Sequence, residues 1–161
     1  MSDEASFSTW YESQHPRLFV SMVALSGSTD LAAEATDEAF ARAFAHWQRV
    51  STMSSPGGWT YRVAVNVLRR RSRRRSAERR LLHRFVTDVV PEPAGEVWEL
   101  VRRLPDRQRT AVVLRYVGDL TEPEIARVMK VTRGTVASTL AAARRALGRA
   151  LAEPDTVEES T

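Results

Sequence analysis

Leu120-Thr121-Glu122-Pro123-Glu124-Ile125-Ala126-Arg127-Val128-Met129-Lys130-Val131-Thr132-Arg133-Gly134-Thr135-Val136 decides the fold of the second half of this chain. Thr121 and Glu124 have the spacing of a capping box. Pro123 falls in the first helical turn, where a missing N–H is harmless. Lys130-Val131-Thr132 makes a turn of about three residues, and Thr132 can cap a last helix running toward Leu151. Two short helices across so short a turn have helix-turn-helix spacing. At 100° per residue, Val136, Leu140, Ala143 and Leu147 share the face that would pack on Ile125, Val128 and Met129. The opposite face carries Ser138, Ala141, Ala142, Arg145 and Arg149, with Arg133 and Thr135 in the first turn. In such a motif that outward face enters the major groove.

Two more helices precede the motif. Val97, Leu100, Val101 and Leu104 mark the first. Pro105 opens the second, which carries Ala111, Val112, Leu114 and Val117 and ends at Gly118. Further upstream, residues 86–95 hold two prolines, a glycine and scattered acids without a helical stripe, the mark of a linker.

The first half is also helical. Phe7, Trp10, Tyr11, Leu18, Phe19, Met22 and Leu25 recur at spacings near three and four, and residues 26–29 break the run. A second helix is predicted from Asp30 to Trp47, with Leu31, Ala35, Ala39, Phe40, Ala43, Phe44 and Trp47 on one side. A Ser/Thr/Pro/Gly loop, residues 51–58, separates it from a third helix expected to begin near Trp59. There Thr60, Val63, Ala64, Val67 and Leu68 form a buried side. Arg62, Asn66, Arg69 and Arg73 form the other, and Trp59 and Tyr61 stand at its start. No strand pattern or internal repeat interrupts this. The fold class predicted is all-α: two small helical domains joined by a linker, the C-terminal one a helix-turn-helix. The boundaries expected are 1–84, a linker at 85–95, 96–152, and an acidic disordered tail at 153–161.

Charge localises the chemistry. The net charge is +4 and the pI about 10.3. Residues 1–50 carry a net −4, whereas residues 51–87 carry a net +9 from ten arginines and one acid. One segment therefore holds the whole excess, as a localised nucleic-acid footprint would. Nine arginines lie between Arg69 and Arg84, and they repel one another unless partnered. An amide among guanidiniums suits base reading and phosphate gripping, and neighbouring aromatics suit unstacked bases.

Composition excludes other classes. Hydrophobic residues make up 43%, enough for a core, and cysteine is absent, so there is neither a disulfide framework nor a thiolate site. His15, His46 and His83 lack metal-ligand spacing. No phosphate-binding glycine loop or G-x-S-x-G elbow occurs, so no enzyme, cofactor or metal is expected. No apolar run reaches the roughly 18 residues of a membrane span, and no signal peptide is evident. A cytoplasmic protein is expected.

The second half resembles region four of sigma factors, of the small extracytoplasmic-function group. The resemblance rests on Leu104-Pro105, Gln108-Arg109, Val112-Val113-Leu114-Arg115-Tyr116, Leu120-Thr121, Glu124-Ile125-Ala126 and Gly134-Thr135-Val136, about fifty residues in one register. It implies a module that reads the minus-thirty-five promoter element and touches the flap of the polymerase beta subunit. Carried over by position, Arg133, Thr135, Ala137, Ser138, Ala141, Ala142, Arg144 and Arg145 would face that element. Where family members often place basic or aromatic residues, this chain has Ala137, Thr139, Ala141 and Ala142. Alanine can touch a thymine methyl but cannot fork onto guanine, and Arg133, Arg144 and Arg145 are left for phosphates.

The first half resembles region two of the same family. Glu34, Asp37-Glu38-Ala39-Phe40 and Ala43-Phe44 resemble the helix that docks on the beta-prime coiled coil of polymerase. The resemblance implies that Glu34, Asp37, Glu38 and Phe40 serve docking, with Asp37 where the family usually has glutamine. Trp59-Thr60-Tyr61-Arg62-Val63-Ala64-Val65-Asn66 resembles the helix that reads the minus-ten element. Trp59, Arg62, Asn66, Arg69, Arg70, Arg73 and Arg74, with the loop before them, would then meet melted promoter DNA. In the family that loop captures an unstacked base. The implied function is promoter recognition and DNA opening for core RNA polymerase, with an anti-sigma factor as a further partner. The alternative is a helix-turn-helix regulator acting without polymerase, which would leave the acidic helix and the arginine helix without a role.

Overall fold

The computed structural model describes residues 3–82 and 95–153, and the side chains within them except those of 79–82. Eight helices make up its regular structure: α1 (Asp3–Ser26), α2 (Thr29–Ala45), α3 (Trp47–Val50), α4 (Pro56–Leu82), α5 (Glu96–Arg103), α6 (Asp106–Tyr116), α7 (Glu122–Met129) and α8 (Arg133–Ala152). The described residues contain no strand. Most of the linker and the tail expected from the sequence fall outside the described residues.

The breaks have local causes. Gly27 takes a left-handed φ of +63° and its N–H bonds the Val23 carbonyl at 2.8 Å, ending α1. Ser28 then caps α2, its side chain accepting from Leu31 N–H. The helix predicted to reach Trp47 instead stops at Ala45. His46 (φ −121°, ψ 24°) leaves the helical region, and Trp47 starts α3, its ring centroid 4.8 Å from that of Trp10 and 5.2 Å from that of Phe7. The third long helix starts at Pro56, three residues before the position expected. Proline suits the first helical position, and Ser55 Oγ accepts the Gly58 N–H at 3.0 Å as a cap. The glycines that suggested loop are its first turn.

In the second half the capping box forms as the sequence predicts. The Thr121 side chain accepts from the backbone of α7, and the Glu124 carboxylate accepts the Thr121 N–H at 2.7 Å. Lys130 closes α7 in a left-handed conformation (φ 57°) while Val131 N–H bonds the Ala126 carbonyl. Thr132 caps α8 through Thr135 N–H.

Leu18, Met22, Ala32, Ala35, Ala39, Phe40, Ala64 and Val67 fill the core between α1, α2 and α4, and Val113, Leu114, Ile125, Val128, Val136 and Leu140 fill that of α6–α8. The two cores are continuous: α4 packs on α7 and α1 on α6. Tyr61 lies at this seam. It is 3% exposed, its hydroxyl 3.0 Å from Ser21 Oγ. Burial pushes its pKa up to about 12 against the lowering effects of Ser21 and Arg17. The sequence placed Tyr61 beside Trp59 at the open start of the arginine helix. The structure makes it a core residue, because the second half covers that side of α4.

Candidate nucleic-acid interface

Helix α4 supplies one candidate surface. Its 27 residues bury Thr60, Ala64, Val65, Val67 and Leu68 against the neighbouring helices. Arg62, Asn66 and Arg73 are exposed on the remaining face, and Arg69 is half-buried. With spacings of four, three and four, they form one stripe along the helix. Among the described residues no acid forms an ion pair with Arg62, Arg69 or Arg73, which leaves their charges available to an anion. Trp59 at the head of the stripe is half-buried. With Arg62 it lines a cleft of about 280 Å³ formed with Met53, Ser54, Ser55 and Gly58 of the preceding loop and Glu124 and Arg127 of α7.

The other arginines of α4 behave differently. Arg71 reaches Glu34 at 2.9 Å and Glu38 at 3.3 Å. Arg70 reaches Glu38 at 3.3 Å, Arg75 approaches Glu34 at 3.9 Å, and Arg42 also bonds Glu38. Desolvation raises the Glu38 carboxyl, but hydrogen bonds from Arg71 and Arg42 and the charges of Arg42 and Arg70 hold its pKa below the ordinary value. Two acids four apart on α2 thus face two arginines four apart on α4. The acidic group expected to meet polymerase is therefore partly engaged within the chain. Asp37 is exposed, and among the described residues no arginine forms an ion pair with it. Phe40, 4% exposed, packs its ring on Tyr11 and Trp10 at 4.8 and 5.4 Å, so its part is in the packing of α2 rather than on its surface. Arg74 pairs with Glu78 at 3.2 Å on the solvent side.

Helix α8 supplies the second candidate surface. Val136, Leu140 and Ala143 are buried on α6 and α7, as the periodicity predicts, while Leu147 is only half-buried. Ala137, Ser138, Arg144 and Arg145 are exposed, and Thr135, Ala141 and Ala142 are half-buried. Ser138 Oγ donates to the Thr135 carbonyl at 3.0 Å, so its hydroxyl proton is already used. Arg133 Nε lies 3.6 Å from Glu122. Arg144 Nε donates to the Tyr116 hydroxyl at 2.8 Å, with its guanidinium 5.9 Å from the ring centroid. Tyr116, though part of the recognised motif, was not read from the sequence as a partner for Arg144. Twenty-eight residues separate them, and only the packing of α6 on α8 joins them. Arg145 and Arg149, both exposed on this face, form no ion pair with an acid among the described residues.

Among the described residues no group of histidine and acidic side chains could hold a metal ion. No described helix is long and apolar enough to cross a membrane.

Comparison with known proteins bears on both surfaces. Residues 10–78 match Sigma-70 region 2 and residues 94–147 match Sigma-70 region 4. The chain is 25% identical over 169 residues to the ECF RNA polymerase sigma factor SigW of Bacillus subtilis (strain 168), an alignment covering 92% of this chain and 90% of the relative. Among solved structures, the sigma factor RpoE of Bartonella quintana, in complex with the anti-sigma factor NepR, superposes with a TM-score of 0.78. That match has 21% identity and covers 91% of this chain and 97% of the other. CnrH, in complex with the cytosolic domain of CnrY, superposes with a TM-score of 0.65 at 19% identity, covering 92% of this chain and 89% of the other. At such identities the structural likeness speaks for the fold, and the matched regions speak for the family. With region 2 on the helices that carry the arginine stripe and region 4 on the helix-turn-helix, the chain belongs to the sigma-70 family, as a sigma factor of the extracytoplasmic-function type.

Proposed function

We propose that this sigma factor grips promoter DNA at two places, and that it chooses promoters through the stripe on α4 and the loop ahead of it. Arg62, Arg69 and Arg73 hold phosphates of the opening minus-ten segment, Asn66 reads a base edge, and Trp59 lines the entrance for an unstacked base. Arg70 and Arg74 add to the positive field from the sides. Capture of unstacked bases contributes about 1–3 kcal/mol each toward opening. The helix α8 anchors upstream through Arg133, Arg144 and Arg145, while Thr135, Ala137, Ser138, Ala141 and Ala142 lie against the groove. Asp37, with the unengaged sides of Glu34 and Glu38, meets basic groups of core polymerase. In this reading residues 1–84 and 96–152 are the two working modules. Sigma factors are in general not enzymes, and polymerase performs the chemistry. The factor works in the cytoplasm, where an anti-sigma protein of the kind bound by RpoE would hold it inactive.

The observation that carries this reading is the stripe itself: Arg62, Asn66 and Arg73 exposed and Arg69 half-buried along one side of α4, directly after a capped loop. The test is run-off transcription by bacterial core polymerase on a promoter library, with and without the chain. Transcripts that require both the chain and a shared minus-ten motif support it. Binding to DNA without any stimulation of polymerase would overturn it in favour of a free-standing regulator.

A further inference from the structure

Four arginines meet at a groove distinct from the cleft at Trp59. The groove has a volume of about 330 Å³ and is lined by Arg69 and Arg73 of α4 and by Arg107 and Arg109 of α6. Arg73 and Arg107 are exposed, and Arg69 is half-buried. Among the described residues no acid forms an ion pair with any of these three. Asp106 is the acid in the lining, and Arg109 takes it. Arg109 Nη2 donates to Asp106 Oδ1 at 2.6 Å, and its Nη1 donates to the Arg102 carbonyl at 3.1 Å. Four guanidiniums against one carboxylate leave an excess of three positive charges, drawn from two helices far apart in the chain.

The start of α6 adds to this field. Its first two residues, Asp106 and Arg107, are in the lining, and its N-cap, Pro105, makes no side-chain cap. The first-turn N–H groups and the positive end of the helix dipole therefore stand at the groove. Like charges gathered in this way repel, and an anion among them reverses the sign of the interaction. Guanidinium forks match the oxygens of a phosphate in geometry as well as in charge. The remaining lining is largely apolar: Leu25 of α1, Val65 and Leu68 of α4 and Met129 of α7. A bare inorganic ion leaves such a floor in contact with water, whereas a flat ring covers it. The volume is that of a small-ligand site.

We infer that this groove binds a nucleoside polyphosphate, its phosphates on Arg69, Arg73 and Arg107 and its base on the apolar floor. Two or more phosphates are needed to match three open guanidiniums in charge. Ser72, also in the lining, adds a hydroxyl for a phosphate or sugar oxygen. Arg109, held by Asp106 and the Arg102 carbonyl, fixes the wall. The site stands independently of the promoter reading. Arg69 and Arg73 belong to both, so on that reading the nucleotide and the minus-ten strand compete for them.

Isothermal titration calorimetry on the full chain at fixed ionic strength tests this, with ATP, GTP, tripolyphosphate and adenosine as probes. The expected result is one molecule of ATP or GTP bound per chain, with tripolyphosphate at least about threefold weaker and adenosine not bound. The ATP and GTP arms show which base the floor takes. Arg107→Glu is expected to lower nucleotide affinity at least about tenfold, a loss of about 1.4 kcal/mol or more, with an unchanged circular dichroism spectrum. Arg49→Glu makes the same change of net charge on α3, which packs on α1 and α2, and is expected to leave nucleotide affinity unaltered. Equal losses in the two variants would mean general attraction to a basic chain and would overturn the site, as would the absence of saturable binding by either nucleotide. Tripolyphosphate binding as tightly as the nucleotides would overturn the role of the floor and, with it, the nucleoside. If only a single-stranded oligonucleotide bound, and lost affinity in Arg107→Glu, the groove would belong to DNA and the inference would fail. Failure of the minus-ten reading looks different: Arg62→Ala and Asn66→Ala would leave oligonucleotide binding unchanged while nucleotide binding persisted.

Discussion

Helices α4 and α8 are built alike and equipped differently. Each starts at a hydroxyl cap, Ser55 for one and Thr132 for the other, and each buries one apolar face. On the open face α4 presents Arg62, Asn66, Arg69 and Arg73, with Arg69 half-covered. The corresponding face of α8 presents Ala137, Ser138, Ala141 and Ala142, with Arg144 and Arg145 at one side. Long donors can fork onto base edges and phosphates, whereas a methyl group offers only apolar contact to thymine. The fold constrains the buried face alone. A helix-turn-helix can therefore be intact in its caps, turn and core and still present little to read a sequence with.

The sharpest way to break this contrast is to remove the amide. Asn66→Ala is expected to relax preference at one minus-ten position by about 1–3 kcal/mol, the discrimination of a good base contact, with promoter opening impaired in proportion. Selection among randomised minus-ten sequences would show it. A loss equal for all sequences would make Asn66 a mere positioning group. Arg73→Ala and Arg74→Ala come next. Each is expected to weaken binding to every sequence and to reduce the salt slope by about one. Arg74 also loses its Glu78 pair, so its effect should be the smaller of the two.

Sharpening the contrast calls for the opposite change, on α8. Ala141→Arg adds a guanidinium to the half-buried edge of its groove side, and a new guanine preference in the upstream element is the expected gain. An unaltered upstream profile would mean that this helix does not enter the groove in the assumed orientation. The smallest effect belongs to Tyr116→Phe. It deletes the hydroxyl that accepts from Arg144 and keeps the ring beneath the guanidinium. Upstream affinity is expected to change less than about threefold, in the range of a single exposed hydrogen bond.

Much of this was legible in the sequence because the signals are local. The capping box at Thr121 and Glu124, the turn through Lys130, and the apolar stripe of Val136, Leu140 and Ala143 each lie within a few turns of helix, and all formed as predicted. Local punctuation also misled. Pro56, Gly57 and Gly58 read as loop, yet a proline with a serine before it can equally open a helix. What stayed hidden depends on contacts between distant segments. Glu34 and Glu38 suggested a free acidic face, but Arg71 and Arg75 engage it from 33 to 41 residues away. Tyr61 looked like part of an open aromatic edge, but Ser21 of α1 and the turn at Gly118 lie against it. Glu124 was read only as a capping residue, and its second bond to Ser55 spans sixty-nine positions. Spacing along one helix carries no information on which helix will lie across it.

The central claim is that the α4 side carries promoter choice and α8 mainly anchors. The direct test is transcription by bacterial core polymerase bearing this sigma factor from two libraries, one randomised at the minus-ten element and one at the upstream element, with the transcribed survivors sequenced. The account predicts a sharp minus-ten motif beside a diffuse or A·T-rich upstream preference set by phosphates, thymine methyls and DNA shape. A sharp, guanine-containing upstream consensus that collapses in Arg145→Ala, with little selection at the minus-ten element, would contradict it.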